Sequence, residues 1–226
     1  MPKMPEKLII TGCDEKTEWQ LPWFLENYFK HNKLPVAIAD FGMSENMLRL
    51  VRSRFATFCT LNLKPEEELK GWFLKPAAMY AAPGKSCFWI DTDCHVLGNI
   101  EGMFNYVVPN KLTMAIDRPW LKRRKEEWHN SGVVGFYQKP DILRQWATSV
   151  QENPKDGDQE VLHSILNPIT KMTYINELPN EYNWLRLQVE ADGEDSPNKK
   201  IMHWTGAKGN DRIRGLMKIS EVIQNG

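Results

Sequence analysis

The chain contains at residues 87–93 the stretch Cys87-Phe88-Trp89-Ile90-Asp91-Thr92-Asp93, an apolar run that ends in two carboxylates one residue apart. Such a run is typical of a buried strand. Because strand side chains alternate between faces, we expect Asp91 and Asp93 to point the same way where the strand ends. Neighbouring anions are costly unless a cation compensates them, and carboxylate oxygens suit Mg2+ or Mn2+. The stretch predicts a divalent metal site, although such a pair also fits a polar strand end that faces water.

Strand-like and helix-like segments alternate along the rest of the chain. This order predicts an α/β fold in which an open, mixed, mainly parallel sheet is covered by helices on both faces. The length of 226 residues suits one such domain, predicted to cover residues 1–226. Besides the strand that ends at Asp91, the predicted strands are 8–13, 35–41, 56–61, 112–116, 132–137 and 200–203, and the predicted helices are 19–31, 44–51, 65–81, 141–150 and 158–166.

Composition excludes several function classes. The 29 basic and 29 acidic side chains balance to a net charge of zero, which argues against a nucleic-acid-binding surface. The one dense basic run, residues 122–125, is followed at once by Glu126 and Glu127 and is interpreted as a solvated helix face. The N-terminal apolar run is too short for a signal peptide, and no stretch approaches a membrane span. Four cysteines without a CxxC pair indicate reduced thiols, so a cytoplasmic location is expected.

Three later segments follow the Asp-x-Asp stretch in a set order: Asn130-Ser131-Gly132-Val133-Val134, Asp158-Gln159 and His203-Trp204-Thr205-Gly206-Ala207-Lys208. Over roughly residues 8–212 the ordered set resembles the family 8 glycosyltransferases, the retaining nucleotide-sugar enzymes typified by glycogenin and the bacterial lipopolysaccharide galactosyltransferases. The sequence departs from the family after Lys208, where Gly209-Asn210 stands instead of the usual continuation through Lys-Pro-Trp.

The resemblance implies a nucleotide-diphospho-sugar transferase fold of the GT-A type and a metal-dependent glycosyltransferase activity. The donor would be a nucleoside diphosphate sugar, with a UDP-sugar favoured, and the product would retain the anomeric configuration. A glycan, a lipid-linked compound or another molecule would be the acceptor. Arg118-Pro119-Trp120 and Tyr182-Asn183-Trp184 are expected to shape the acceptor side.

The resemblance also implies a role for each candidate residue. Mn2+ or Mg2+ would be held by Asp91, Asp93 and His203, although strand alternation leaves His95 open as a third ligand. The sugar and the acceptor face would be held by Asp158, Gln159 and Asn130. The nucleotide and its phosphates would be contacted by Thr11, Gly12, Asp14, Trp19, Asp40, Lys75, Thr92, Gly206 and Lys208.

Simpler interpretations stay open at several positions. Asp158 also fits a helix N-cap, Asn130 a turn, Trp19 and Trp184 core tryptophans, and Asp40 a cap or surface acid. For the whole chain, the alternatives are a haloacid dehalogenase-like phosphatase, which also places Asp-x-Asp after a strand, and a sugar-nucleotide-binding module that has lost catalysis. Residues 38–44 imitate the kinase magnesium motif, but the preceding residues lack a glycine-rich loop.

Overall fold

The computed structural model describes residues 4–54, 60–63, 71–152 and 156–225. The strands are β1 (Lys7–Cys13), β2 (Val36–Asp40), β3 (Thr60–Asn62), β4 (Ser86–Ile90), β5 (Cys94–Val96), β6 (Leu112–Ile116), β7 (His129–Tyr137), β8 (Ile175–Glu177), β9 (Trp184–Leu185) and β10 (Ile201–His203). The α-helices are α1 (Leu21–His31), α2 (Glu45–Arg54), α3 (Lys75–Ala81), α4 (Arg118–Arg124), α5 (Asp141–Glu152), α6 (Asp158–Ile165), α7 (Pro168–Tyr174), α8 (Arg186–Glu190) and α9 (Gly206–Asn225).

Seven strands form a mixed sheet in the order β3-β2-β1-β4-β7-β6-β8. Among these strands β7 runs against its neighbours, pairing antiparallel with both β4 and β6, whereas the other four pairings are parallel. The start of β7 therefore lies at the same edge of the sheet as the carboxyl ends of β1, β4 and β6. Ligands bind at this edge in open α/β sheets.

A smaller sheet of three strands, in the order β5-β10-β9, is built beside that edge. β10 pairs antiparallel with β5, which places His203 opposite Cys94, and parallel with β9. A backbone hydrogen bond from Trp204 N–H to the Asp93 carbonyl, 3.1 Å, continues the pairing. Residues 201–204 thus lie directly beside the stretch that contains Asp91 and Asp93.

Two apolar layers cover the large sheet. One contains Phe24, Phe88 and Ile213 and is formed with α1, α2, the small sheet and α9. The other contains Met79, Trp89 and Trp146 and is formed with α3, α5 and α6. Strand side chains alternate between these layers, so β1, β2, β4, β6 and β7 each contribute to both. The prediction of a mixed, mainly parallel sheet with helices on both faces is confirmed, and the extent of the domain, residues 1–226, stays a prediction.

Several element boundaries differ from prediction. The predicted helix 65–81 is seen as a 3-10 turn, Gly71–Leu74, followed by α3, and residues 64–70 lie outside the described residues. The predicted strand 56–61 reaches β3 only at its end, because residues 55–59 also lie outside that range. Short elements without a clear period, such as α4, α7, α8 and β8, were not predicted, nor was the long helix α9.

Candidate active site

A cleft of about 680 Å3 opens at the edge where the strands of the large sheet end. β1 leads into it at Asp14, β4 at Asp91 and β6 at Asp117, while β7 begins there with Asn130 and Ser131. The antiparallel pairing of Ile90 with Val133 brings the start of β7 beside the end of β4. Sheet topology therefore gathers residues that are far apart in the sequence around one cavity.

Asp91 and Asp93 lie in the tight turn between β4 and β5, since β4 ends at Ile90. This turn is closed by a hydrogen bond from Cys94 N–H to the Asp91 carbonyl, 3.1 Å. Both carboxylates nevertheless reach His203, whose Nε2 lies 3.1 Å from Asp93 Oδ1 and 3.9 Å from Asp91 Oδ2.

Electrostatics at these groups reflects crowding of like charges in a partly desolvated site. Burial raises the pKa of Asp91. The ammonium group of Lys75 lowers this pKa, and the carboxylate of Asp93 raises it further. Burial would lower the pKa of His203, but the two carboxylates outweigh it, so this pKa lies above its ordinary value. The Trp89 indole donates a hydrogen bond of 2.5 Å to Asp91 Oδ1 and holds that carboxylate in place.

Asp91, Asp93 and His203 fit a divalent cation. Two carboxylates and an imidazole are oxygen and nitrogen donors of the kind that Mn2+ and Mg2+ accept, and the buried Asp93 Oδ1 has no partner among the described residues except His203 Nε2, itself a candidate ligand, at 3.1 Å. Donor atoms of Asp93, Cys94 and His203 also lie within 4.8 Å of one another. Cys94 is a poor third ligand, however, because burial and the neighbouring carboxylates raise its pKa well above the ordinary value and keep it a thiol.

Lys75 is buried at the start of α3 and connects the metal side of the cleft to the opposite wall. Its ammonium group lies 2.8 Å from Asp158 Oδ2 and 3.5 Å from Asp91 Oδ1, and it donates to Ser131 Oγ at 3.1 Å. These anions outweigh the effect of burial and raise the pKa of Lys75 above its usual value. Asp158 is not the N-cap of α6, because Gly157 takes that position and Asp158 turns its carboxylate towards Lys75.

An amide network forms the wall beside Asp158. Gln159 Oε1 accepts hydrogen bonds from Asn130 Nδ2, 3.2 Å, and from the backbone N–H of Ser131, 3.1 Å. Gln159 Nε2 donates to Asp117 Oδ2 at 3.2 Å, and Asn130 Nδ2 lies 3.3 Å from the same oxygen. The three sugar-side candidates, Asn130, Asp158 and Gln159, thus share one wall with Asp117.

The predicted nucleotide and phosphate residues separate into two groups. Gly12, Asp14, Lys75, Thr92 and Gly206 line the cleft, together with Gln20, which accepts a hydrogen bond of 2.8 Å from Thr92 Oγ1. Gln20 in turn donates to Asn210 Oδ1, 2.8 Å, and so ties the first turn of α9 to the carboxylate turn. A side chain at residue 12 would overlap Ala39, so glycine is needed there for close strand packing.

The second group lies outside the cleft lining. Thr11 is fully buried within β1, and Asp40 accepts hydrogen bonds from the backbone N–H groups of Gly42 and Met43 as a turn cap. The ring of Trp19 packs under Arg214 at 4.0 Å. The exposed Lys208 stands in the first turn of α9. The arrangement supports the simpler interpretations of Trp19 and Asp40, and the nucleotide roles of these four residues stay predictions.

His95 is separated from the metal candidates. Its ring packs on Trp23, 5.1 Å between centroids, on the far side of β5. Burial, followed by the charges of Lys30 and His31, lowers the pKa of His95 to about 4. His203 is therefore the histidine that the fold brings to the two carboxylates.

No family model matches the sequence, and no curated protein matches it. The structure, in contrast, is similar to solved glycosyltransferases. The galactosyltransferase LgtC, in complex with donor and acceptor sugar analogues, superposes with a TM-score of 0.65 and 14% identity over 92% of this chain and 94% of that chain. The glycosyltransferase GlyE of Streptococcus pneumoniae TIGR4 gives 0.68 and 14% identity over 88% of this chain, which spans 55% of GlyE.

The chain has the GT-A glycosyltransferase fold. An active-site mutant of LgtC gives the same TM-score, 0.65, and the apo form of GlyE gives 0.68 with 16% identity. The family 8-like fold implied by the resemblance is thereby confirmed. The cleft described above lies where the strands of its large sheet end. None of the helices in the described part of the chain is long and apolar enough to cross a membrane.

Sequence reasoning missed several residues that the cleft uses. Asp117 had a usable signal, an acid at the end of a strand-like run, as did Asp91. Gln20 had none, because its role comes from a contact with Thr92, 72 residues away, and Ser131 stood in a quoted segment without being given a role. Asn183, expected on the acceptor side, is fully buried behind His203.

Proposed function

We propose that the chain is a metal-dependent glycosyltransferase that moves a sugar from a nucleoside diphosphate sugar, with UDP as the nucleotide, to an acceptor and retains the anomeric configuration. The observation that carries the proposal is the convergence of Asp91, Asp93 and His203 at the mouth of a 680 Å3 cleft in a GT-A fold. The cytoplasmic location and the nature of the acceptor, a glycan, a lipid-linked compound or another molecule, stay predictions.

The diphosphate end of the donor suits the side of the cleft formed by the metal candidates and α9. Breaking the bond from the sugar to the nucleotide builds negative charge on the β-phosphate, and Mn2+ or Mg2+ held by Asp91, Asp93 and His203 would supply Lewis acidity there. Gly206, at φ +75°, begins α9, and Gly206, Ala207 and Asn210 line the cleft. The positive end of this helix dipole favours a phosphate, and Lys208 adds a cation in the same turn.

The sugar suits the wall formed by Asn130, Asp158 and Gln159. Amides and carboxylates there match the hydroxyl groups of a sugar, and their orientations are held by Lys75 and Asp117. An inverting reaction needs a general base that can reach the acceptor. The carboxylate of Asp158 is engaged by Lys75 at 2.8 Å, which supports a role in orientation and in stabilising the developing cationic sugar.

The competing functions fit less well. A haloacid dehalogenase-like phosphatase would need Asp91 as a nucleophile, yet both Trp89 and Lys75 engage Asp91 Oδ1. A binding module without catalysis would keep the cleft and the metal site, so only a measurement of turnover separates it from the enzyme.

Calorimetric titration of UDP tests the metal-dependent donor site. We expect binding in Mn2+ and none in chelator, because the diphosphate and two carboxylates repel one another without a cation. His203→Ala should abolish the binding of UDP that depends on Mn2+. Asp40→Asn alters a turn cap outside the cleft and should leave that binding unchanged. Equal UDP binding in Mn2+ and in chelator would contradict the proposal.

Turnover and stereochemistry are tested with a panel of α-linked UDP-sugars. Metal-dependent release of UDP identifies the donor, and proton NMR of the product should show an α-linkage. Asp158→Asn should lower turnover by roughly a hundredfold or more with a smaller change in donor affinity, because its effect falls after binding. A β-linked product would refute retention, and binding without turnover across a broad panel of acceptors would favour the binding module.

A further inference from the structure

A buried chain of amides runs behind the metal candidates and reaches His203 from the side opposite Asp93. Asn183, fully buried between the 3-10 turn Asn180–Tyr182 and β9, places its Oδ1 3.0 Å from His203 Nδ1. Its Nδ2 donates to Asn130 Oδ1 at 2.9 Å. Asn183 therefore connects the ring of His203 to the sugar-side wall without lining the cleft itself.

The direction of this chain is determined by a backbone N–H group, which can only donate. The N–H of Gly132 donates to Asn130 at 3.0 Å, so the atom of Asn130 that receives it must be the oxygen. That oxygen also faces Asn183, which must therefore present its NH2 group. The remaining atom of the Asn183 amide, its oxygen, then faces His203.

A second backbone group demands the same direction independently. The N–H of Ser131 donates to Gln159 at 3.1 Å, which makes the accepting atom Oε1. Gln159 Oε1 also lies 3.2 Å from Asn130 and needs a donor there, so the NH2 group of Asn130 faces Gln159 and its oxygen faces Gly132 and Asn183. Both backbone groups thus orient Asn130 alike.

We propose that Asn183 is a positioning residue that keeps a proton on Nδ1 of His203, so that Nε2 is the nitrogen presented to the metal. An amide oxygen can only accept, so the facing Nδ1 must carry hydrogen, and a neutral ring then has its lone pair on Nε2. Nε2 is the atom that lies 3.1 Å from Asp93 Oδ1. Partners of this kind determine the tautomer and orientation of metal-binding histidines. The inference rests on the proposed metal site.

Nitrogen-15 NMR of the histidine rings tests the tautomer without metal or substrate. Signals of His203 are assigned by their loss in His203→Gln, and spectra are taken at a pH where the ring is neutral. We expect hydrogen on Nδ1 and a bare Nε2 in the wild type. A neutral ring with hydrogen on Nε2 would overturn the inference whatever the protein does with Mn2+.

Two variants at Asn183 separate the acceptor from the remaining contacts. Asn183→Leu removes the oxygen, and we expect loss of the Nδ1–H signature and Mn2+ binding that is about 10- to 100-fold weaker by electron paramagnetic resonance. Asn183→Asp keeps an acceptor and should keep the proton on Nδ1. Unchanged Mn2+ affinity in the leucine variant, or hydrogen on Nε2 in the aspartate variant, would overturn the proposal.

Asn32→Leu is the matched control. Asn32 is also buried and makes side-chain hydrogen bonds to the backbone of Tyr28, Gly98 and Ile100, away from the cleft. This variant should lose stability yet keep the His203 tautomer and the Mn2+ affinity. If Asn183→Leu fails to fold, the His203 tautomer in the wild type and in Asn183→Asp still tests the proposal. A wild type with the expected tautomer that binds no Mn2+ would instead refute the proposed metal site.

Discussion

Single residues in this cleft are constrained by what stands directly against them. Gly132 on β7 faces the ring of His203, and a Cβ atom there would lie 2.9 Å from Nε2 and closer still to Nδ1. Its absence allows the imidazole to lie close against the strand, between Asn183 and Asp93. Gly132, in the stretch Asn130-Ser131-Gly132, therefore leaves the space that the ring of His203 occupies.

Gly132→Ala should displace the His203 ring and weaken Mn2+ binding by about tenfold or more, by analogy with the loss of a ligand-orienting contact. Gly215→Ala in α9 is the control, because a Cβ atom added there would meet nothing within 4 Å, and helix propensity favours alanine by about 0.5–1 kcal/mol. Calorimetric Mn2+ titration of both variants measures the effect. Wild-type Mn2+ affinity in Gly132→Ala would show that the ring is not constrained by β7.

His95 gives a pH-dependent term at the residue scale. Its folded-state pKa of about 4 lies below the ordinary value of 6.5, so its neutral burial stabilises the fold fully above pH 6.5, and this contribution is lost as the pH falls from 6.5 towards 4. His95→Gln should therefore lose less stability than the wild type between pH 7 and pH 4.5, by on the order of 2 kcal/mol. Urea unfolding at both pH values measures it, and parallel losses would refute the assignment.

At the element scale, one ammonium group joins α3, α6, the end of β4 and the start of β7. Lys75, itself buried, provides the positive charge against Asp158 and Asp91, whose side chains are 12% and 28% exposed in the cleft. Removing one partner of such a buried set leaves uncompensated charge, which costs more than the intact set contributes.

Lys75→Met should lower the free energy of unfolding by about 3–5 kcal/mol in metal-free protein, because the side chain keeps its length but removes the ammonium group that faces Asp158 and Asp91. Lys85→Met, which breaks an exposed pair with Glu6, should change stability very little. Mn2+ should restore more stability to Lys75→Met than to the wild type, since it supplies positive charge beside Asp91. Equal losses in the two lysine variants, measured in urea, would show that the buried set is not stabilising.

At the scale of the whole molecule, the cleft is closed by joining distant parts of the chain. The turn after β4 pairs through β5 with β10, and the chain then enters α9, whose first turn is tied to Gln20. Cys94, Ile201 and Ile213 at this junction belong to the apolar layer that α1 and α2 form, so a ligand held at the candidate metal site is expected to stabilise the junction first.

Hydrogen exchange measured by mass spectrometry should detect that stabilisation. Mn2+ with UDP should slow exchange in peptides that cover residues 91–96 and 201–210. Peptides that cover β8, the outermost strand of the large sheet on the side of β6, should change little. Chelator should remove the difference. If exchange slowed equally in β8 and in the junction peptides, the effect would be general stabilisation and not a ligand bound at the junction.

The sequence alone was sufficient for the fold class, and it contained the residues that line the candidate site. Strand runs and amphipathic helices have local periods, so alternation predicted the layered sheet. The resemblance to the family 8 glycosyltransferases singled out Asp91, Asp93, His203, Asp158, Gln159 and Asn130, whose roles stay predictions. Those six residues do meet around one cleft. The short elements escaped prediction because so few residues rarely show a period.

Only the tertiary structure decided which side chains face one another. The antiparallel insertion of β7, the pairing of β5 with β10 and the burial of Asn183 behind His203 depend on segments tens of residues apart. Lys75 turned out to be a buried partner of Asp158, and Asp40 a turn cap outside the cleft. Local sequence encodes how a segment can fold, whereas hydrogen bonds and ion pairs between segments require the packed chain that brings donor and acceptor together.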